Sequence, residues 1–207
     1  FEGCSAGGGR FDPGILYYMP QIWTSDDTDA VERLKIQHGT SIVYPPITIG
    51  AHVSAVPNHQ VHRITPMETR GHAAMCGNFG YELDLTKLDY MDKGIVKNQV
   101  EYYKEIRHII QFGDMYRLIS PFEGNETAWL YVTEDKTEAY VAFFRVLAQP
   151  NGPHTKLLRL NGLDPDKNYQ IIGTDLIMGG DVLMSAGLKI PELTGDFKSV
   201  TWRLKAV

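Results

Sequence analysis

The chain has 207 residues, of which 43% are hydrophobic and 22% are charged, and its formal net charge is −5. Because it is acidic and has no run of Lys or Arg, it is not expected to bind nucleic acid. No apolar segment approaches the roughly 20 residues needed to cross a bilayer, so no membrane partner is expected.

Two cysteines, Cys4 and Cys76, are present, without a CxxC pair. Two cysteines make no disulfide framework, so the simplest expectation is a reducing compartment and a cytoplasmic protein. The first residues, Phe1 to Cys4, have the pattern of a strand end and do not begin with Met. This pattern predicts that the chain is a fragment of a longer protein.

The first half of the sequence alternates apolar runs with helical patterns. A glycine-rich loop at residues 4–12 lacks the GK[ST] sequence of a P-loop. Strands are predicted over residues 22–24, 47–54 and 79–85, and helices from Asp27 to the C-cap Gly39, from the N-cap Thr65 to about Met75, and over about 93–112. Alternating strands and helices predict a parallel sheet. Residues 1–112 are therefore predicted to be the last strand–helix units of a (β/α)8 barrel, whose active sites lie at the C-terminal strand ends.

After Gly113 the sequence shows strand-like runs and no further helical period. The runs cover residues 129–132, 139–145, 155–160, 169–172 and 199–204, and turn sequences such as Asn161-Gly162 separate them. Short strands at regular spacing predict an antiparallel β-sandwich domain over residues 115–207. The predicted fold class is thus α/β followed by all-β.

Three carboxylates, Asp26, Asp27 and Asp29, lie between the strand at 22–24 and the helix that follows it. Carboxylates in this position commonly cap the helix and interact with its dipole. Glycoside hydrolysis instead needs two carboxyl groups beside the scissile bond, one of them protonated. Trp23 is near enough in sequence to desolvate Asp26 and favour its protonated form. Residue types alone leave both interpretations open, and capping is the more common role.

Other titratable residues carry weaker signals. His52 lies near a predicted strand end, and His59 and His62 have the spacing of a metal pair. No third ligand has metal-site spacing, so no metal is expected. Cys4 has no base paired with it by any sequence feature, which favours an inert or ligand-contacting thiol over a nucleophile.

Four segments carry a family resemblance: the loop from Cys4 to Asp12, the segment from Tyr17 to Asp29, the loop from Gly50 to Gln60 and the strand from Gly77 to Asp84. Together they resemble the C-terminal part of bacterial-type α-galactosidases of glycoside hydrolase family 36. The resemblance covers the whole predicted barrel portion. Residues 115–207 look like the C-terminal sandwich of the same family, although their sequence is less diagnostic.

The resemblance implies a retaining α-galactosidase that acts on melibiose- and raffinose-type sugars. It implies no cofactor or metal, and a homo-oligomer, commonly a tetramer. The family's acid/base is the first aspartate of the Trp-Thr-Ser-Asp-Asp-Thr-Asp segment. That position is Asp26 in this sequence, which leaves Asp27 and Asp29 to cap and orient.

The resemblance also implies a sugar-binding set and a missing group. Cys4 and Gly7 match the family residues that contact the galactose ring, and Arg10 and Trp23 are expected neighbours. The family's nucleophile lies in a Lys-Trp-Asp motif, which this sequence does not contain. We therefore expect the nucleophile to lie outside these residues and the chain alone to be inactive.

Two further classes of function remain open at this stage. The same fold also suits an α-galactosyl transferase or an α-N-acetylgalactosaminidase, which the range of sugars accepted and the products formed would distinguish. A non-catalytic sugar-binding or assembly module is a different class of function. Galactose binding by residues 115–207 alone would favour that module.

Overall fold

The computed structural model describes residues 1–4, 9, 11–152 and 155–207. The chain divides into two compact units, Phe1–Arg107 and His108–Val207, named here the first unit and the second unit. Within the described ranges, no helix combines the length and the apolar character needed to span a membrane.

The first unit contains a sheet whose strands run parallel in the order β1-β2-β3-β4. The strands are β1 (Glu2–Gly3), β2 (Gln21–Trp23), β3 (Ile49–Ser54) and β4 (Asn78–Glu82). Helices α1 (Ala30–Thr40), α2 (Met67–Ala74) and α3 (Tyr90–Phe112) follow β2, β3 and β4 in turn. Short 3-10 turns cover Ile15–Tyr17, Pro46–Thr48 and Leu85–Lys87. The predicted alternation and the parallel pairing are confirmed.

The two faces of this sheet differ because successive residues of a strand point to opposite sides. Ala51 and Val53 of β3 pack with Met67 and Ala74 of α2 in a fully apolar cluster. The opposite face, named here the polar face, carries Glu2, Gln21, Trp23, His52 and Glu82. Contacts within it include the Gln21 amide, which donates to Glu2 at 3.2 Å, and the Ser54 hydroxyl, which donates to Glu82 at 3.2 Å.

Three helix ends differ from the sequence prediction. α1 begins at Ala30 rather than Asp27, and its C-cap is Ser41 rather than Gly39. α2 begins at Met67, because Pro66 has an extended backbone (φ −54°, ψ 148°) and occupies the N-cap position itself. The predicted N-cap role of Thr65 is therefore wrong, and its hydroxyl is buried with no hydrogen-bond partner among the described residues.

The second unit contains an antiparallel sheet of six strands in the order β10-β9-β12-β7-β6-β5, and a two-stranded sheet, β11-β8. The strands are β5 (Asp114–Ile119), β6 (Glu126–Val132), β7 (Glu138–Arg145), β8 (Lys156–Leu158), β9 (Asn168–Ile171), β10 (Ile177–Gly179), β11 (Leu188–Ile190) and β12 (Lys198–Ala206). Both sheets contribute to one apolar core, for example through Leu130, Phe143 and Leu188. This arrangement is consistent with a β-sandwich.

The sequence prediction missed several elements of the second unit, most of them short. They are β5, β10, β11 and the helix α4 (Gly180–Ser185), so the expectation that no helix follows Gly113 is wrong. β10 and β11 have three residues each, too few to show an alternating pattern, and α4 has less than two turns. Gly113 itself ends α3 as predicted, and a Cβ at this position would lie 2.5 Å from the Ile109 carbonyl oxygen.

Candidate active site

The candidate site lies at the C-terminal edge of the parallel sheet, in the loop that follows β2. Asp26 is three residues beyond the end of β2, and its side chain is exposed. The indole N–H of Trp23 donates to Oδ1 of Asp26 at 3.2 Å. The contact between Trp23 and Asp26 is thus a directed hydrogen bond. Because the Asp26 side chain is exposed, the expected desolvation by this ring is not observed.

The neighbouring aspartates shape the backbone between β2 and α1. Asp29 is the N-cap of α1 and accepts from the backbone N–H groups of Val31 and Glu32, each at 3.1 Å. Asp27 accepts from the backbone N–H of Asp29 at 3.1 Å. The expected capping role is confirmed for Asp29, and Asp27 orients the backbone of Asp29 without capping the helix.

Arg33 of α1 is a buried cation, with only 3% of its surface exposed. It donates to the Thr24 hydroxyl and to the Ser25 carbonyl oxygen, each at 2.7 Å. Its guanidinium carbon lies 5.0 Å from the centre of the Trp23 ring, a distance typical of a cation–π contact. The three partners, Trp23, Thr24 and Ser25, directly precede Asp26 in the chain.

The charge on Arg33 is balanced by carboxylates around the same edge of the sheet. Burial lowers the pKa of Arg33, and the carboxylates of Glu82, Asp27, Asp26 and Glu2 act in the opposite direction. A buried guanidinium without such neighbours would pay a large desolvation cost. The site is therefore an electrostatically coupled set of groups from β1, β4, α1 and the loop after β2.

His52 of β3 packs against Trp23 on the polar face. The two ring centres are 4.5 Å apart and the rings are tilted by 46°. A Cβ on Gly80, which pairs with His52 across β3 and β4, would lie 2.9 Å from Cδ2 of the imidazole, so any side chain there would displace the ring. Burial, and to a lesser extent the charge of Arg33, lowers the pKa of His52 to about 4. His52 is consequently neutral near pH 7.

The loop after β3 is tied to the loop after β2. The buried side chain of Asn58 donates to the Thr28 hydroxyl at 3.2 Å, and Arg63 forms an ion pair with the N-cap Asp29. Asn58 also accepts from the backbone N–H of Gln60 at 2.9 Å, which fixes its amide. These contacts link two consecutive strand–helix connections into one support for the segment that bears Asp26.

The other predicted site residues have mixed outcomes. Cys4 is exposed and follows β1, which pairs in parallel with β2, so Cys4 lies at the same edge of the sheet as the end of β2. Gly7 and Arg10 lie outside the described residues. Trp23 is the ring that contacts both Asp26 and His52.

The histidine pair in the loop after β3 does not form a metal site in the described structure. His59 and His62 are both exposed. No group of three or more His, Cys, Asp or Glu side chains suited to holding a metal ion occurs within residues 1–4, 9, 11–152 and 155–207.

Sequence reasoning does not single out Arg33, Asn58 or Arg63. A signal for Arg33 exists: it lies three residues after Ala30, on the face of α1 that also carries Leu34. Charged residues are rarely buried on such a face unless they are paired. α1 in fact buries Arg33, Gln37 and His38. The partners of Asn58 and Arg63 are 30 and 34 residues distant in sequence, so only the folded chain shows them.

Comparisons with known proteins agree across the whole chain. The family model described as Melibiase matches residues 1–113, and the model described as Glycosyl hydrolase family 36 C-terminal domain matches residues 126–204. The α-galactosidase AgaA of Geobacillus stearothermophilus is 62% identical over 207 residues, which are 100% of this chain and 28% of AgaA. The α-galactosidase Mel36A of Lactobacillus acidophilus is 51% identical over 207 residues, again 100% of this chain and 28% of that protein.

A solved structure gives the same result. The crystal structure of a variant of AgaA from Geobacillus stearothermophilus, in complex with raffinose, matches with a TM-score of 0.97 and 61% identity. The match covers 100% of this chain and 29% of that one. The chain therefore spans less than a third of the length of these relatives.

Proposed function

The chain belongs to the melibiases of glycosyl hydrolase family 36, and from this premise we propose that it is part of a retaining α-galactosidase. The reaction is hydrolysis of terminal α-D-galactosyl residues from oligosaccharides of the melibiose and raffinose type. The observation that carries the proposal is the position of Asp26, hydrogen-bonded to Trp23 at the C-terminal edge of a parallel sheet. The 62% identity with an α-galactosidase over the entire chain supports it.

The proposal includes a place for this chain in the parent enzyme. Residues 1–112 form the last strand–helix units of a (β/α)8 barrel, and residues 115–207 form its C-terminal antiparallel β-sandwich domain. Parallel strands covered by helices on one face support the barrel, because the helices of that fold form an outer ring. Polar groups on the other face also support it, because active-site groups gather at the C-terminal strand ends. A family model described as a C-terminal domain, matched by residues 126–204, supports the order.

Asp26 is the acid/base in this proposal. In the first step its carboxyl group gives a proton to the glycosidic oxygen, the bond from that oxygen to the anomeric carbon breaks as the nucleophile bonds to this carbon, and the rest of the sugar leaves as an alcohol. In the second step the Asp26 carboxylate takes a proton from water as this water attacks the same carbon, which breaks the bond to the nucleophile, releases galactose and restores both carboxyl groups. The Trp23 N–H occupies Oδ1, and no described residue donates a hydrogen bond to Oδ2, which suits Oδ2 to proton transfer.

The remaining roles complete the site. Cys4, Gly7, Arg10 and Trp23 contact or border the galactose ring, and Gly7 offers no side chain to obstruct the sugar. The nucleophilic carboxylate lies outside these 207 residues, so the chain alone is inactive. We further propose that the parent enzyme is cytoplasmic, needs no cofactor and assembles as a homo-oligomer, a tetramer in the family pattern.

The proposal is tested by Asp26→Ala in the full-length enzyme. Loss of the general acid is expected to lower kcat/KM for raffinose by about 10²- to 10⁴-fold. An aryl α-galactoside with a good leaving group needs little protonation and is expected to lose far less. The measurement is kcat/KM for both substrates, with product analysis to distinguish hydrolysis from transfer.

Asp27→Ala is the matched control, because Asp27 is the adjacent carboxylate and holds the backbone of Asp29. It is expected to affect both substrates alike and only mildly. Equal losses on raffinose and the aryl galactoside for Asp26→Ala would contradict the acid role. Measurable α-galactosidase activity of the 207-residue chain alone would contradict the missing nucleophile.

A further inference from the structure

We propose that Arg33 is the positioning residue of the candidate acid. In this view its guanidinium orients Asp26 indirectly, by fixing the turn at Thr24 and Ser25 and the indole of Trp23. The inference deepens the proposed function and rests on it, since the acid role of Asp26 belongs to that proposal.

The first support is the pair of hydrogen bonds to the turn. The two terminal nitrogens of Arg33 reach the Thr24 hydroxyl and the Ser25 carbonyl oxygen at 2.7 Å each. These residues directly precede Asp26. A planar fork that makes two hydrogen bonds fixes direction as well as distance, which a single ammonium group does not. The backbone path into Asp26 is therefore set by a side chain of α1.

The second support is the contact with the ring that holds the carboxylate. Arg33 lies 5.0 Å from the centre of the Trp23 ring, and His52 lies 4.5 Å from it, centre to centre. Trp23 in turn donates its N–H to Asp26. Because the ring is restrained by both neighbours, its N–H has a defined direction, and Oδ1 of Asp26 follows it.

The third support is the cost of placing a guanidinium there. Arg33 is 3% exposed, and its Nε has no hydrogen-bond partner among the described residues. An apolar side chain is sufficient for a helix to cover a sheet. A buried charged side chain packs no better than an apolar one. The described hydrogen bonds of the Arg33 side chain all go to the turn before Asp26, so its position is explained by that turn.

The test compares how Arg33 and another buried arginine affect substrate preference in the full-length enzyme. Arg33→Met removes the fork and the charge while keeping the length of the stem. Arg70→Met is the control, because Arg70 is also buried and donates to backbone carbonyls, those of Thr65 at 3.0 Å and Ser54 at 2.7 Å. Both variants lose buried hydrogen bonds, but only the first loses contacts to the segment before Asp26.

The readout is the ratio of kcat/KM for raffinose to kcat/KM for p-nitrophenyl α-galactoside. Misplacing the acid is expected to lower this ratio by about 10- to 100-fold in Arg33→Met, since small displacements of a catalytic group are costly. Arg33→Lys keeps the charge and is expected to give a smaller fall. Arg70→Met is expected to leave the ratio unchanged, whatever it does to thermal stability.

The double variant that combines Arg33→Met with Asp26→Asn distinguishes failure of the positioning role from failure of the proposed function. Once the acid is absent, adding Arg33→Met is expected to lower the ratio no further, because coupled groups are not additive. If Asp26→Asn shifts the ratio but neither Arg33 variant does, the positioning role is wrong and the proposed function stands. If Asp26→Asn leaves the ratio unchanged, the acid role and the positioning role are both wrong. Equal shifts in Arg33→Met and Arg70→Met would also overturn the inference.

Discussion

The first and second units bury different kinds of side chain. Among the described residues, the first unit buries many polar or charged side chains: Thr28, Asp29, Arg33, Gln37, His38, Thr48, Ser54, Asn58, Thr65, Thr69, Arg70 and Gln99. Among the described residues of the second unit, Thr127 is the buried polar side chain apart from the tyrosines. The second unit instead buries large apolar and aromatic residues on β6 and β7, including Trp129, Phe143 and Phe144.

Burial of polar and of apolar side chains has different consequences in the two units. Buried polar groups add little net stability, because each must replace its hydrogen bonds to water. They do, however, give direction, since a satisfied hydrogen bond defines where both partners lie. In the first unit such bonds hold the loop that follows β2, where Asp26 lies, and the loop that follows β3. In the second unit apolar burial stabilises the sheet without defining a polar site.

The largest expected stability effect is in the apolar core of the second unit. Leu130→Ala removes a fully buried side chain of β6 and is expected to cost about 2–5 kcal/mol, through lost burial and the cavity left behind. The measurement is the free energy of unfolding by chemical denaturation. Leu157→Ala, at a position that is 52% exposed, is the control and is expected to change stability by less than about 0.5 kcal/mol. Similar losses of unfolding free energy in Leu130→Ala and Leu157→Ala would contradict the conclusion that apolar burial stabilises the second unit.

The next effect concerns the cap in the first unit. Asp29→Ala removes the N-cap of α1 and the partner of Arg63, and is expected to cost about 2–3 kcal/mol, because charged hydrogen bonds to a buried carboxylate are lost. Asp84→Ala is the control, since Asp84 caps the exposed turn Leu85–Lys87 and its loss is expected to cost less. If the Asp29 variant were as stable as the control, the interpretation of buried polar groups as organisers of this loop would be wrong.

The smallest effect is a pH dependence of the first unit. Burial lowers the pKa of His52 and of His72 to about 4, below the value of about 6.5 in an unfolded chain. Between these values the unfolded chain takes up protons that the folded unit does not, so stability falls as the pH decreases from about 6.5 to about 4. For His52, which is only partly buried, solvent screening reduces the size of this effect.

The measurement is the free energy of unfolding at several pH values for the natural chain, His52→Phe and His72→Phe. Each variant is expected to show a weaker dependence on pH, even where its stability at pH 7 is lower. His59→Gln, in an exposed loop, is the control and is expected to keep the natural dependence. Unchanged slopes in both Phe variants would show that the acid sensitivity has another source.

Much of the fold follows from sequence patterns, but helix ends and short strands do not. The strands β3, β4, β6, β7 and β12 and the helix α3 follow from apolar periodicity, because the core selects that pattern. The cap at Thr65 fails because Pro66 adopts an extended backbone, and a local signature does not reveal the neighbouring conformation. β11 is stabilised by pairing with β8, whose residues lie at least 30 positions earlier, and no local pattern encodes this pairing.

The candidate site divides in the same way. Asp26 and Trp23 are predicted from their position after a strand and from the family resemblance, and the structure joins the two by a hydrogen bond. The expected cap is confirmed for Asp29, since capping is a local interaction, whereas Asp27 holds the backbone of Asp29 and does not cap the helix. Arg33 and Asn58 escape sequence reasoning, because their roles depend on partners that the fold brings near them.

By itself the sequence determined the family, the order of strands and helices in the first unit, and the three aspartates at the end of β2. These features depend on residues close together in the chain or on motifs read directly. Only the tertiary structure places the buried guanidinium of Arg33 and the neutral ring of His52 against the indole that donates to Asp26. The physical reason is that burial and long-range contacts arise when strands and helices pack, and they set the position and the protonation of each group.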